Sequence, residues 1–271
     1  MNFLRKIIFK LKFKINHYLL PEVKSFDEAD RFSVSKNRSN YDSNYLSNYR
    51  FKKLEKFIKN DGNLLQNPSA NMLLYAVSLF IKKNPGKIPK LVDYGGACGE
   101  SILLLASIFG KDIYKNSWVI ESPNHVKEAK KQRLLDKVQF SDNFIEVLDK
   151  TKIDIFFSSC ALHYLPDPYY PLTVAADNNI EIVCLTRNNF SFKPSFYVQL
   201  SKLSLNGTGV HLMEYQDKNI YYPVASLSES NIVDIFVNKN YAIYFQKKGT
   251  QSGVINKKFD YSKDLCFYLE K

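Results

Sequence analysis

The spacing of apolar residues changes near residue 88, and this change divides the chain into two predicted regions. Before it, apolar residues recur every three or four positions, as in FKKLEKFI and NMLLYAVSLFIKK, which is the spacing of amphipathic helices. After it, short apolar runs alternate with helical patterns: KLVDYGG, SWVIES, VQFSDN, IDIFFSS and EIVCLTR. Strands that alternate with helices predict a parallel, doubly wound α/β sheet with right-handed crossovers.

The first 20 residues have the spacing of a basic amphipathic helix that Pro21 would end. The apolar face contains Leu4, Ile7, Ile8, Leu11, Ile15 and Tyr18. Such a helix either lies in the plane of an anionic membrane surface or packs on its own domain, and the sequence leaves both open. We therefore predict a basic helix over 1–24, a helical region over 25–87 and an α/β domain over 88–271.

The helical region contains Ser-Asn-Tyr three times at a four-residue step, which predicts Tyr41, Tyr45 and Tyr49 on one helical stripe. A stripe of this kind is usually packed in a core. The alternative is a lid whose tyrosines close over a ligand.

Composition places the protein among globular, reduced proteins. Its 271 residues are 45% hydrophobic, and residues 1–60 hold 14 Lys and Arg against 6 Asp and Glu, so most of the net charge of +11 is N-terminal. The four cysteines lie in apolar stretches without CxxC spacing, so we expect free thiols, no disulfide bridges and no metal. No run approaches the roughly 18 apolar residues of a membrane span, and we expect a cytoplasmic protein.

Ligands of doubly wound sheets bind beyond the carboxyl ends of the strands, and the first predicted strand ends in a glycine-rich turn. Asp93 and the loop residues Gly95, Gly96, Ala97 and Gly99 precede the helical pattern ILLLASIF. Glycines let such a turn approach a ligand closely. A dinucleotide fingerprint requires glycine at position 97 and near 100, where this chain has Ala97 and Glu100, so the turn favours a nucleoside without phosphates.

The next three strands add candidates at the same edge. Glu121 ends the second strand, where a carboxylate accepts hydrogen bonds from both ribose hydroxyls. Asp142 follows the third strand, where it either accepts from an adenine amine or caps the next helix. Ser158 and Ser159 end the fourth strand and would let a ligand lie against the backbone. His163 follows them as a candidate general base, although a lone histidine is more often structural.

Together these motifs resemble a family of class I S-adenosylmethionine-dependent methyltransferases encoded in bacterial surface-polysaccharide gene clusters. The resemblance runs from about residue 25 to the C-terminus and includes VDYGGACGES, WVIESP, SSCALHYLPDP and YYPVASLSESNIVDIFVNKNYAIYF. Ala97 stands where the family's loop has its third glycine, and alanine fails there if the position needs a positive φ.

The resemblance implies a Rossmann-like seven-stranded sheet whose last strand is antiparallel, with YAIYFQKK and DLCFYLEK as the closing pair. It also implies S-adenosylmethionine as cofactor, S-adenosylhomocysteine as product, and a cytoplasmic enzyme that methylates a sugar or another precursor of a surface polymer.

Methyl transfer from a sulfonium to a hydroxyl is an in-line displacement that releases a proton. His163 is the first candidate base, followed by His211 and then His125. Residues after the later strands that suit a polar or anionic acceptor are Arg187, Asn188, Gln199 and Tyr222.

Two other functions remain open from the sequence. One is an RNA-directed methyltransferase, against which the region after residue 60 is nearly balanced in charge; we expect no nucleic acid partner. The other is a non-catalytic scaffold that keeps the methyltransferase fold.

Overall fold

The computed structural model describes residues 17–34, 39–132, 138–248 and 259–270. In chain order, the strands are β1 (His17–Leu19), β2 (Ser39–Asn40), β3 (Leu91–Tyr94), β4 (Ser117–Ile120), β5 (Gln139–Ser141), β6 (Ile155–Ser159), β7 (Ile182–Phe190), β8 (Phe196–Lys202), β9 (Asn219–Ala225), β10 (Tyr241–Lys248) and β11 (Tyr261–Leu269).

The α-helices are α1 (Phe26–Ser33), α2 (Asn44–Lys59), α3 (Ala70–Lys83), α4 (Glu100–Phe109), α5 (Pro123–Ala129), α6 (Phe144–Lys150), α7 (Tyr170–Asp177) and α8 (Glu229–Val237). Short 3₁₀ turns occur at Leu64–Gln66, Lys111–Asn116, Leu162–Tyr164 and Leu203–Leu205.

Seven strands form the main sheet in the order β10-β11-β7-β6-β3-β4-β5. Strands β3 to β7 are parallel to one another, whereas β11 pairs antiparallel with both β7 and β10. The expected doubly wound seven-stranded sheet with an antiparallel last strand is confirmed, as are its five parallel strands and its closing pair. The strand order reverses between β3 and β6, so their carboxyl ends form the switch point at which doubly wound sheets bind ligands.

Helices cover both faces of this sheet because successive side chains of a buried parallel strand point to opposite faces. Leu91 and Phe157 pack with buried side chains of α3 and α4 on one face. Val92 and Phe156 pack with buried side chains of α6, α7 and α8 on the other. The two apolar layers hold the loops after β3, β4 and β6 at one edge.

A second, four-stranded sheet has the order β1-β8-β9-β2. Strands β8 and β9 lie between β7 and α8 in the chain, and they form an antiparallel pair in which Gln199 is opposite Tyr222. This sheet was not predicted from the sequence. It places Gln199 and Tyr222, two residues predicted to bind the methyl acceptor, next to each other and close to the helical N-terminal region.

The N-terminal helix predicted over 1–24 is wrong for the part of that range that the structure describes. His17–Leu19 forms β1, which pairs antiparallel with β8, and Val23 bridges to Phe196. Backbone pairing to a strand about 180 positions away overrides the local helical spacing. Residues 1–16, which hold most of the predicted helix, lie outside the described residues.

The tyrosine stripe is only partly helical. Helix α2 begins at Asn44, where the Ser43 side chain accepts from the Leu46 N–H at 3.3 Å and caps it. Tyr45 and Tyr49 therefore lie on the helix, whereas Tyr41 precedes it. Because Tyr41 lies outside the helix, its side chain reaches the end of β4.

All four cysteines are free thiols; Cys98, Cys184 and Cys266 are buried and Cys160 is half-buried. Across the described ranges, no helix is both long and apolar enough to cross a membrane.

Candidate functional site

The loop after β3 turns tightly enough to require glycine at two positions. Gly95 has φ 71° and Gly99 has φ 82°, both in the left-handed region. A Cβ on Gly95 would lie 2.2 Å from the Cβ of Ala161, in the loop after β6. The Gly95 N–H donates to the carbonyl of Ile120 at 2.8 Å. The loop is therefore held between the ends of β4 and β6, at the switch point.

Ala97 adopts φ 48°, so the position where the resembled family has its third glycine does need a positive φ. An alanine in this region costs roughly 1–2 kcal/mol relative to the right-handed region. The chain tolerates that strain because the Ala97 N–H donates to Oε1 of Glu121 at 3.1 Å. The substitution therefore preserves the turn instead of abolishing it.

Glu121 is 6% exposed at the end of β4, and its carboxylate is surrounded by donors. Besides the Ala97 N–H, Oε1 accepts from the Tyr41 hydroxyl at 2.6 Å, and Oε2 accepts from the Ser122 N–H at 2.9 Å. Oε1 thus has both lone pairs engaged, whereas Oε2 keeps one free. A polar group that bonds to both oxygens must replace the Tyr41 hydroxyl.

Two further carboxyls lie beside the loop. Asp93 is 1% exposed, its Oδ2 has no hydrogen-bond partner, and burial together with Glu100 and Glu121 raises its pKa to about 7. Burial also raises the pKa of Glu100, whose Oε2 accepts from the Cys98 N–H at 3.0 Å and whose Oε1 accepts from Thr208 at 3.1 Å. These three acids make the site attractive to a group with positive charge.

Three tyrosines, here called the tyrosine cluster, cover the loop: Tyr41, Tyr164 and Tyr222. Tyr164 lies with its ring centroid 6.2 Å from that of Tyr41 and 5.5 Å from that of Tyr222, and the remaining pair is 5.8 Å apart. The Tyr164 hydroxyl donates to Oε1 of Gln199 at 3.1 Å, and the Tyr222 hydroxyl donates to Oδ1 of Asn206. The cluster connects the edge of the main sheet at the carboxyl ends of its parallel strands to the second sheet.

His163 lies on the 3₁₀ turn after β6, with its ring centroid 4.2 Å from that of Tyr164. It is 1% exposed, its Nδ1 has no hydrogen-bond partner, and its Nε2 is 3.8 Å from Sγ of Cys160. A buried imidazole nitrogen without a partner is costly unless a ligand satisfies it. His163 Nδ1 is therefore a buried nitrogen for which the described residues supply no partner.

The other two histidines have different surroundings. His211 Nδ1 is 2.9 Å from the Tyr49 hydroxyl, within the loop that packs on α2. His125 is buried between Sγ of Cys98, at 3.8 Å, and Oγ of Ser47, at 3.1 Å, and burial lowers its pKa. Both nitrogens of His125 are engaged in helix packing, so its role is structural.

Several predicted residues lie together around this site: Asp93, Gly95, Gly96, Ala97, Gly99, Glu121, Ser158, His163, Gln199 and Tyr222. Ser158 donates to the carbonyl of Tyr94 at 3.0 Å, which fixes the loop from below, and Oγ of Ser159 is buried without a partner.

Other predicted residues are less closely joined to it. Asp142 is exposed, and the helix after it is capped by Asn143, not by Asp142. Arg187, at φ 60°, donates its backbone N–H to Asp264, and Asn188 is fully buried with neither amide atom partnered. Both lie at the carboxyl end of β7 beside β11.

Sequence reasoning missed Arg50, Asn206 and Tyr164. Arg50, on α2, is 8% exposed, and its guanidinium carbon lies 4.7 Å from the centroid of the Tyr41 ring. In the sequence it is one of many basic residues in a basic region, and nothing marks it as buried. Tyr41 carried a signal, the Ser-Asn-Tyr repeat, but its contact with Glu121 spans 80 positions. No described residues form a group of three or more His, Cys, Asp or Glu side chains placed to hold a metal.

The strand order and the glycine loop at the switch point are those of the class I methyltransferase fold. No protein-family model and no curated protein sequence matches it.

Solved structures similar to it are methyltransferases. Streptomyces venezuelae DesVI shares 11% identity over 81% of this chain and 98% of its own, with a TM-score of 0.49. The sugar N-methyltransferase KedS8 from Streptoalloteichus shares 10% over 76% and 89%, at 0.48. An S-adenosylmethionine-dependent methyltransferase from Clostridium acetobutylicum shares 11% over 80% and 96%, at 0.47. At these identities the similarity is one of fold, so we infer function from this chain's own residues.

Proposed function

We propose that the protein is an S-adenosylmethionine-dependent methyltransferase that acts in the cytoplasm on a hydroxyl of a sugar or another small precursor of a bacterial surface polysaccharide. The observation that carries the proposal is the pairing of Glu121 with the Gly95–Gly99 loop. A buried carboxylate whose Oε1 is held by the loop's own N–H is oriented to accept from a ribose hydroxyl.

The residues present fit this cofactor. Glu121 suits the ribose, and the glycine loop leaves room for backbone contact. Asp93, with one buried oxygen unpartnered, suits the ammonium group. Glu100 fills the place where a dinucleotide needs glycine, which disfavours a pyrophosphate and agrees with a nucleoside that carries none. When bound, S-adenosylmethionine would supply an electrophilic methyl group.

The chain's own contribution is to position the acceptor and to take its proton. The tyrosine cluster and Gln199 offer aromatic faces and an amide to a sugar ring, and these groups also exclude water. His163 would accept the proton released by the acceptor hydroxyl through its unpartnered Nδ1. The sugar acceptor is also supported by the aromatic and amide character of this surface, which is typical of polar, uncharged ligands.

Calorimetric titration with S-adenosylhomocysteine tests the cofactor assignment. We expect wild-type binding, and Glu121→Gln should weaken it by roughly 10- to 100-fold because a charged acceptor is lost. Glu146→Gln, an exposed glutamate on α6, is the matched control and should bind as wild type. Equal affinity of Glu121→Gln and wild type would show that the ribose is held elsewhere.

A methyl-transfer screen against nucleotide sugars and extracted surface glycans tests the acceptor class. In that assay, His163→Ala should lower turnover by about 10²- to 10⁴-fold while the affinity for S-adenosylhomocysteine is retained. His211→Ala should retain most of the turnover. Methyl transfer to RNA but to no glycan would overturn the acceptor class, and wild-type turnover in His163→Ala would remove its role as base.

A further inference from the structure

The Arg50 side chain carries buried donors that form no hydrogen bond with any of the described residues. It is 8% exposed, and neither Nε nor Nη1 has a hydrogen-bond partner. Nη2 reaches only Oδ1 of Asn206, at a long 3.5 Å, and that oxygen also accepts from Tyr222. A buried guanidinium with two unpaired donors is unfavourable.

Nearby carboxylates balance the charge of Arg50 without satisfying its donors. Glu121 and Glu100 are close enough to interact with it electrostatically. The Glu121 oxygens, however, accept from Tyr41, Ala97 and Ser122. The Glu100 oxygens accept from Cys98 and Thr208. An N–H that is attracted by distant charge still needs an acceptor within about 3 Å. Among the described residues, no acceptor lies within hydrogen-bond distance of Nε or Nη1.

We propose that Arg50 binds the carboxylate of a ligand in the candidate site, through Nε and Nη1. A carboxylate matches the fork geometry of a guanidinium, and it carries a single negative charge. A phosphate would bring up to two negative charges close to Glu100 and Glu121, so the surroundings disfavour it. The Arg50 guanidinium carbon lies 4.7 Å from the centroid of the Tyr41 ring, which places the guanidinium beside the tyrosine cluster.

Two kinds of ligand carry such a carboxylate. Both are ligands of the proposed methyltransferase, so the inference rests on the proposed function. One is the cofactor, whose amino-acid end has a carboxylate beside an ammonium group that Asp93 would attract. The other is an acidic acceptor such as a uronic acid. Arg50 lies beside Asn206 and Tyr222, which belong to the segment between β7 and α8 and not to the glycine loop. This position also suits an acidic acceptor.

Paired titrations separate these sources. S-adenosylhomocysteine and 5′-methylthioadenosine share the adenosine and the sulfur, but only the first has a carboxylate. If the cofactor supplies the carboxylate, Arg50→Met should weaken the binding of S-adenosylhomocysteine by roughly 10- to 100-fold. The binding of 5′-methylthioadenosine should weaken by less than about twofold. If the acceptor supplies the carboxylate, Arg50→Met should bind both nucleosides with wild-type affinity. D-glucuronate should then bind the protein saturated with S-adenosylhomocysteine only when Arg50 is present. Arg50→Lys should recover part of the lost affinity because it keeps the charge but not the fork.

Controls distinguish a binding role from a structural one. Lys56→Met removes a charge from the exposed side of the same helix and should leave every affinity unchanged. Because Arg50→Met leaves Glu100 and Glu121 without the opposite charge of Arg50, the ligand-free variant should melt below wild type, whereas Arg50→Lys, which keeps the charge, should melt close to wild type. Equal loss of affinity for both nucleosides, or no change in any affinity, overturns the proposal.

Failure of this proposal differs from failure of the proposed function. Wild-type protein that binds neither nucleoside would refute the methyltransferase assignment. Wild-type protein that binds both, with an Arg50→Met variant that matches it in all titrations, would leave that assignment standing and refute only the role of Arg50.

Discussion

Tyr41 and a ribose hydroxyl compete for the same oxygen. Oε1 of Glu121 already accepts from Tyr41 and from Ala97, so a ribose that binds both carboxylate oxygens must displace the Tyr41 hydroxyl. Burial and the Glu121 carboxylate raise the pKa of Tyr41 well above its usual value, so the phenol stays protonated and remains a donor. Tyr41 therefore competes with a ligand hydroxyl for Glu121.

Tyr41→Phe should tighten the binding of S-adenosylhomocysteine by about 3- to 10-fold, because breaking one hydrogen bond before binding costs about 1 kcal/mol. The phenyl ring keeps its contacts with Arg50 and Tyr164. Tyr45→Phe, whose hydroxyl donates to the carbonyl of Gln216 instead, is the control for titration calorimetry. Weaker binding in Tyr41→Phe would mean that the hydroxyl contacts the ligand directly.

Asp93 should make stability depend on pH. Its pKa of about 7 in the folded protein exceeds the unfolded value of about 4, so only the folded protein holds this proton between those values. The resulting stabilisation is complete below pH 4 and is lost as the pH rises through 7. Urea unfolding of wild type should show a loss on the order of 2 kcal/mol between pH 5 and pH 8 from this group, absent in Asp93→Asn.

The control for that measurement is Asp149→Asn, an exposed aspartate on α6, which should keep the wild-type slope. Parallel pH profiles of Asp93→Asn and wild type would show that Asp93 is ionised throughout and has no raised pKa.

At the scale of elements, the predictable parts are those whose signal is local. Four of the parallel strands, β3, β4, β6 and β7, are mostly buried, so they are short apolar runs that the sequence displays directly, and β5 is half-buried. Strands β8 and β9 have no regular alternation of polar and apolar residues, and they are stabilised by pairing with each other and, for β8, with β1. The distance along the chain between β1 and β8 hides that pairing from any local pattern.

The same reasoning explains which site residues were found. Gly95, Gly99 and Glu121 follow predicted strands, and parallel strands bring their carboxyl ends to one edge. Arg50 and Tyr41 reach this edge from a helical region far away in sequence, through contacts with the second sheet and with Glu121. Their burial depends on tertiary packing, which residue type and spacing do not encode.

Strand β1 should stabilise the second sheet through Leu19. This side chain is 7% exposed and packs with Tyr197, Val224 and Phe259. Leu19→Ala should lower the free energy of unfolding by about 2–3 kcal/mol, because a buried leucine leaves a cavity. Leu65→Ala, at a position 52% exposed, should change it by less than about 0.5 kcal/mol in the same urea titration. Equal effects of the two substitutions would show that β1 is not docked.

At the scale of the whole molecule, charge is concentrated before the described part of the chain begins. Residues 1–16 contain five basic side chains and no acidic ones: Arg5, Lys6, Lys10, Lys12 and Lys14. The apolar residues among them keep a helical spacing in the sequence. The described part of the chain begins with β1, at the edge of the second sheet.

We expect the intact protein to co-sediment with phosphatidylglycerol vesicles, more weakly with phosphatidylcholine vesicles, and less as salt is added. About five basic residues contribute on the order of 1 kcal/mol each near an anionic surface, and screening reduces this contribution. Deleting residues 1–16 should abolish sedimentation while the affinity for S-adenosylhomocysteine and the melting temperature are retained, because β1 remains. Changing Lys10, Lys12 and Lys14 to Gln should remove the salt dependence while leaving the apolar residues in place. If the deletion lowers the melting temperature and leaves vesicle binding unchanged, the segment packs on its own domain and the membrane role is refuted.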